Sequence, residues 1–215
     1  MKNSFYNEGF NIDTDFADSL PETVEEPAKP TIGKELLEWV EVLCFAIIAV
    51  VVVFSFIFRV ATIDGNSMKN TLHHQDKIVI TNWNYEPKQG DIVVISRNVE
   101  NSIKGQVTSE EPIIKRVIAV GGQTVNIDFK DGGKVYVDGV ELKEDYLGSP
   151  TTNIGDVEFP VYIPKGHVFV MGDNRSDSMD SRFSNIGDGG IIDNRYILGH
   201  AVFRFFPFDK IGELD

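Results

Sequence analysis

The sequence predicts an all-β domain of short strands, a small barrel or sandwich, carried on one N-terminal transmembrane helix. Two observations predict that class. Seventeen consecutive residues, Val42 to Phe58, carry no charge. Beyond Arg59 the chain breaks into short β-branched runs separated by Gly, Asn, Asp and Pro, which is the pattern of strands joined by tight turns. The 156 residues after Arg59 suffice for one domain with a sizeable core.

Residues 1–35 are expected as a disordered acidic tail, because Pro21, Pro27 and Pro30 interrupt a polar stretch with no sustained period. Residues 36–59 are expected as the transmembrane anchor, with Leu36 to Glu41 opening the helix. At 1.5 Å per residue the uncharged run gives about 25 Å of helix, near the lower end of what crosses a bilayer. Trp39 and Val40 extend it at the interface. A cleaved signal peptide fits poorly. The run exceeds the usual apolar stretch of about 7 to 15 residues, and no small-x-small site follows it closely. It is also preceded by 41 residues holding ten acidic ones. A buried core helix would show a polar face, and this run is β-branched and apolar all round. Lys29 and Lys34 before the span nearly balance Arg59 after it, so charge alone leaves the orientation open.

Residues 60–215 are expected as the β-rich domain. Strands are predicted over Lys77 to Thr81, Asp91 to Ser96, Ile113 to Val120, Thr124 to Phe129, Lys134 to Val137, Val168 to Met171 and His200 to Phe206. Asp131-Gly132-Gly133 and Asp138-Gly139 lie between β-rich runs and read as hairpin turns. No internal repeat and no G-x-G-x-x-G occur.

Charge narrows the function classes. The net charge is −13, spread over both sides of the span, and no basic patch is present to neutralise phosphates, which excludes a nucleic-acid partner. The one cysteine, Cys44, lies inside the apolar run. The outer domain therefore needs no oxidative folding.

Three stretches carry candidate chemistry. Ser67 sits in a Gly-bearing turn a few residues past the span, and a hydroxyl needs a base before it becomes a nucleophile. The G-x-S-x-G elbow is absent, since Lys69 occupies the second glycine position. None of His73, His74, His167 and His200 lies in a recognisable triad context. Lys115 is the better base. Period-two alternation places it on one strand face with Ile113, Val117 and Ala119, and apolar burial favours a neutral amine. The strand alone leaves open, and favours, a Lys whose stem packs while its amine snorkels to water. The third stretch, Met171 to Arg182, is dense in short polar side chains. Its two Arg and three Asp suggest paired charges that fix a loop. As a calcium loop it fails, because Arg175 and Ser184 occupy ligand positions.

In this order the stretches resemble type I signal peptidases, membrane-anchored serine proteases with a Ser/Lys dyad. The matches are Gly65-Asn66-Ser67-Met68 with Thr71-Leu72, Gly90-Asp91-Ile92-Val93-Val94, Lys115-Arg116-Val117 with Gly121-Gly122, and Gly172-Asp173-Asn174-Arg175 with Ser178 and Asp180-Ser181-Arg182. The single span and the 63-residue separation of Lys115 from Ser178 look like the compact Gram-positive forms. The resemblance implies removal of signal peptides from exported preproteins, cleaved after small-x-small, with no metal or organic cofactor. Its implied partners are preprotein signal peptides, the lipid bilayer and, by proximity, the secretion translocase. The N-terminus would be cytoplasmic and the β-domain, then catalytic, extracytoplasmic.

Residue roles follow from the same resemblance. Ser67 would be the acylated nucleophile and Lys115 the general base; Ser178 would orient the Lys115 amine, and Asp180 with Arg182 would form a supporting ion pair. The Ser67 backbone N–H would supply part of the oxyanion hole. Ile63, Met68, Leu72, Ile113 and Ile114 would build shallow apolar substrate pockets. Two departures stand out: Asn70 replaces the family's usual Pro, with some loss of rigidity, and Gly65 replaces a Ser that completes the oxyanion hole in some members. Two rival readings are a non-catalytic anchored β-domain that binds partners, and a Ser/Lys self-cleaving protein. The second expects a DNA-binding domain and a cleavable linker, which the acidic tail and span do not supply.

Overall fold

A computed structural model of the chain describes residues 32–96 and 111–214. The expected tail lies outside the described residues as far as position 31. From Ile32 the chain is already helical, four residues before the expected anchor begins. Helix α1 covers Ile32–Ile57. Its Gly33–Ile57 part is long and apolar enough to cross a membrane, and none of it is buried in protein. Phe58 and Arg59, expected as the end of the helix, instead open strand β1 (Phe58–Thr62). They pair antiparallel with Thr81 and Ile80 of β2 (Lys77–Thr81). No Gly or Pro marks the change, because the sheet ladder rather than local propensity captures these residues.

Two antiparallel sheets make up the β-domain. The larger has eight strands. It runs from β1 and β2 through β11 (Ile197–Phe206), β3 (Ile92–Ile95) and β4 (Ile113–Val120) to β9 (His167–Met171) and β10 (Ile192–Asp193), with β12 (Gly212–Glu213) added to β11. The smaller runs β7 (Val140–Glu141), β6 (Lys134–Val137), β5 (Thr124–Asp128) and β8 (Val161–Tyr162). All seven expected strands form within a few residues of their expected ends. Both expected hairpins join β5 to β6 and β6 to β7. At the second, Asp138 and Gly139 take φ of 53° and 80°, the left-handed pair that a two-residue hairpin turn requires.

Three apolar clusters hold the domain. The first packs Ile63, Met68 and Leu72 against Ile78, Ile80, Ile92, Val94 and Ile114. The second lies between the smaller sheet and Phe169, and the third gathers Val93, Val117, Val168 and Val170. Each fully buried aliphatic or aromatic side chain contributes about 1.5 to 3 kcal/mol. Strand β4 feeds all three clusters: Ile114 the first, Ile118 and Ala119 the second, Val117 and the partly buried Ile113 the third. The expected face of Ile113, Lys115, Val117 and Ala119 therefore does not run the length of the strand. It breaks where the register with β9 shifts between Val117 and Ala119.

Candidate active site

Ser67 lies in the loop between β1 and β2, and the two ends of that loop are tied together. The Ile63 amide donates to Asp76 O at 2.9 Å and the Gln75 amide to Ile63 O at 2.9 Å. Inside the loop Met68 and Leu72 turn inward to the core, with Leu72 N donating to Met68 O at 2.8 Å. Arg204 of β11 braces the far side, its Nη1 donating to Thr71 O at 2.8 Å and to Asp76 Oδ2 at 3.1 Å. The half-buried Ser67 is thus set on an apolar foundation. Its backbone N–H donates no hydrogen bond among the described residues.

Strand β4 brings the amine. Lys115 sits mid-sheet, opposite Val93 of β3, and is only 3% exposed. Its Nζ donates to Ser67 Oγ at 2.7 Å and to Ile114 O at 2.8 Å. The snorkelling alternative is thereby removed: the amine points to the serine and not to water. The contact joins residues 48 apart in sequence, and an amine and hydroxyl at this distance can exchange a proton directly.

The turn after β9 clamps the nucleophile from the other side. Asn174 N donates to Ser67 O at 2.9 Å, and Asn174 Nδ2 to Asn66 O at 3.1 Å. Three buried ion pairs fix this turn. Arg116, next to Lys115, makes a bidentate pair with Asp173, both contacts 2.9 Å, and Thr71 Oγ1 donates to the same carboxylate. Asp180 accepts from Arg182 Nε at 2.8 Å and Nη2 at 2.9 Å, and from Gly172 N at 2.9 Å. Arg175 pairs with Glu144, and also donates to Thr151 Oγ1 at 2.7 Å and Gly172 O at 3.1 Å. Tyr146 covers Arg116, its ring centroid 4.2 Å from the guanidinium carbon. Burial, then the neighbouring Glu144 carboxylate, holds the Tyr146 phenol above its ordinary pKa.

Gly172 is the hinge of the arrangement. A Cβ there would meet Ser178 Oγ at 2.3 Å and Ser67 O at 2.5 Å, so only glycine lets the two serines approach. Ser178 Oγ is buried and has no hydrogen-bond partner among the described residues. The bond to the Lys115 amine expected from the sequence is therefore not made in this structure.

Ser67, Lys115, Ser178, Asp180 and Arg182 are brought into one region. Of the expected substrate-pocket residues, Ile63, Met68, Leu72 and Ile114 share the first cluster, whereas Ile113 packs with the third. Asn70 takes φ of 102°, which the proline ring, held near −65°, cannot adopt. The expected loss of rigidity is instead a change of backbone conformation. The site also includes Glu144, Tyr146 and Thr151, which nothing in the sequence signalled, and Arg116, which the sequence offered only as the neighbour of Lys115 in the matched Lys115-Arg116-Val117.

Residues 36–206 match the family described as signal peptidase, peptidase S26. A probable signal peptidase I-1 from Synechocystis is 35% identical over 189 residues, 86% of this chain and 90% of that protein. Signal peptidase I of Bacillus licheniformis is 33% identical over 190 residues, covering 84% and 94%. Signal peptidase I T of Bacillus subtilis is 35% identical over 191 residues, covering 82% and 89%.

Proposed function

Since the chain belongs to the signal peptidase, peptidase S26, family and is a peptidase that removes signal peptides, we propose that it works through Ser67 as nucleophile and Lys115 as general base. The observation that carries this is the 2.7 Å contact between Lys115 Nζ and Ser67 Oγ, made by an amine that is 3% exposed.

The reaction runs in two halves. A neutral Lys115 amine takes the Ser67 proton as Oγ attacks the scissile carbonyl carbon, and the new oxyanion meets the unengaged Ser67 N–H. The peptide C–N bond then breaks, the Lys115 ammonium delivers its proton to the departing amine, and an ester remains on Ser67. Water attacks that ester, Lys115 accepts the water proton, and the same proton returns to Ser67 Oγ as the acid leaves. Burial of the amine helps because it disfavours the charged form that cannot act as a base.

Supporting roles follow from position. Ser178 is a positioning residue for the Lys115 amine: its buried hydroxyl has no hydrogen-bond partner among the described residues, which leaves it available to that amine. Asp180 and Arg182 hold the turn that carries it. Ile63 and Ile114 form the apolar walls for small substrate side chains, over a floor of the fully buried Met68 and Leu72, whereas Ile113 packs with the third cluster. Helix α1 anchors the enzyme in the lipid bilayer with the N-terminus cytoplasmic and the β-domain outside, near the translocase that delivers preproteins.

Incubation of purified full-length protein with a preprotein, followed by mass mapping of the products, tests the reading. One cut after a small-x-small sequence, absent with Ser67→Ala, is expected. Unchanged cleavage by Ser67→Ala would overturn the assignment, and no cleavage by the unaltered chain would favour a partner-binding domain.

A further inference from the structure

A pocket of about 160 Å³ opens where α1 passes into the sheet, lined by Phe56, Ile57, Arg59, Ile80, Asn82, Trp83 and Leu198. Ile80 belongs to the first apolar cluster and Leu198 packs against it; the other five are no part of the site around Ser67. Two are polar or charged donors, Arg59 and Asn82; the rest are apolar or aromatic, and no carboxylate is among them. The Arg59 guanidinium makes no hydrogen bond or ion pair with any described residue, and Arg59 is exposed. An Arg of this kind, in a chain of net charge −13, is a cation with no counter-charge among the described residues.

The position of the pocket says what supplies one. Arg59 is the first charged residue after seventeen uncharged ones, so wherever that run is immersed its guanidinium emerges among the lipid headgroups. Trp83 follows β2 just past Thr81, which pairs with Phe58, and is 71% exposed. Indole prefers the same interfacial layer, one edge apolar and the N–H wet. We propose that this pocket binds the phosphate of a membrane phospholipid, resting on the reading of α1 as a membrane anchor. Arg59 grips the phosphate oxygens as a forked donor, Asn82 adds an amide donor, and Ile57, Ile80 and Leu198 receive the glycerol and first acyl carbons. A free phosphate ion would use the guanidinium but leave that apolar wall wet.

Full-length protein in a Trp39→Phe background, where Trp83 is the one remaining indole, tests the proposal. Phosphatidylglycerol, or an uncharged diglucosyl diacylglycerol, is titrated into detergent micelles while Trp83 emission is followed. The phospholipid should shift the emission with saturation, about tenfold less tightly in Arg59→Gln; the glycolipid and soluble glycerol phosphate should leave it unmoved. An identical phospholipid response in Arg59→Gln overturns the site. Equal responses to both lipids, or to glycerol phosphate, also overturn it as a phospholipid site. Flotation with vesicles separates this from the anchor reading. Both variants should float, and failure of both would sink the anchor and the proposal together.

Discussion

The two turns that meet at Ser67 are held by opposite means. The Ile63 to Asp76 loop is seated chiefly by apolar burial, with Ile63, Met68 and Leu72 at 4%, 1% and 0% exposure, and only its end carries an ion pair, Asp76 with Arg204. The Gly172 to Arg182 turn is seated by buried charge, with Arg175, Arg182, Asp173 and Asp180 all at 0%. Apolar burial is non-directional and degrades by degrees as atoms are removed. A buried ion pair fixes direction, and when one partner goes the other is left charged in a poor solvent. The nucleophile thus rests on the tolerant support. The groups that aim at it from across the site rest on the exacting one.

Breaking the exacting side should cost most. Asp180→Asn leaves the Arg182 guanidinium without its counter-charge and should lower stability by about 3 to 5 kcal/mol, read by chemical denaturation. Replacing both partners together, Asp180→Leu with Arg182→Met, should cost less than the single change. A double variant as damaged as the sum of its parts would show that the pair does not act as a unit. On the tolerant side Leu72→Ala should cost about 3 kcal/mol through the cavity it leaves, whereas Leu72→Met should cost under about 1.5 kcal/mol. Equal losses for these two would mean that direction matters in the apolar support as well.

Smaller still in stability, but sharper for chemistry, is Ser178→Ala. It removes a buried hydroxyl that has no partner among the described residues, so folding should be nearly unaffected. Preprotein kcat should fall about tenfold or more, with KM close to unchanged, through a misdirected Lys115 amine. An unaltered kcat would leave Ser178 with a packing role only.

The sequence made these two supports unequally legible. Ser67 and Lys115 could be picked out because a polar turn beside an apolar span and one Lys in an apolar strand are local anomalies. Apart from β1, the strands of four residues or more could be found for the same reason, as runs of β-branched residues. The two-residue strands β7, β8, β10 and β12 are too short for any period to show. Strand β1 was hidden because its apolar residues continue the helix without punctuation. Charge density raised the suspicion of ion pairs and the family resemblance named one, Asp180 with Arg182, which the structure contains; the other two could not be assigned. Arg116 and Asp173 lie 57 residues apart, and Arg175 and Glu144 lie 31 apart, so only the order of strands in the sheet brings them together. Asn70 shows the same limit, since a substitution read as lost stiffness is a backbone turned to positive φ.

Lys115→Arg offers the most direct measurement of the central claim. Arginine supplies a long basic side chain but stays protonated at any working pH, so it cannot take the serine proton as a neutral lysine amine can. Purified Lys115→Arg should cleave preprotein no faster than Ser67→Ala, and the double variant should be no worse than either, while the unaltered enzyme gains activity as rising pH frees the amine. Appreciable turnover by Lys115→Arg, or a rate indifferent to pH, would contradict the pairing of Ser67 with Lys115.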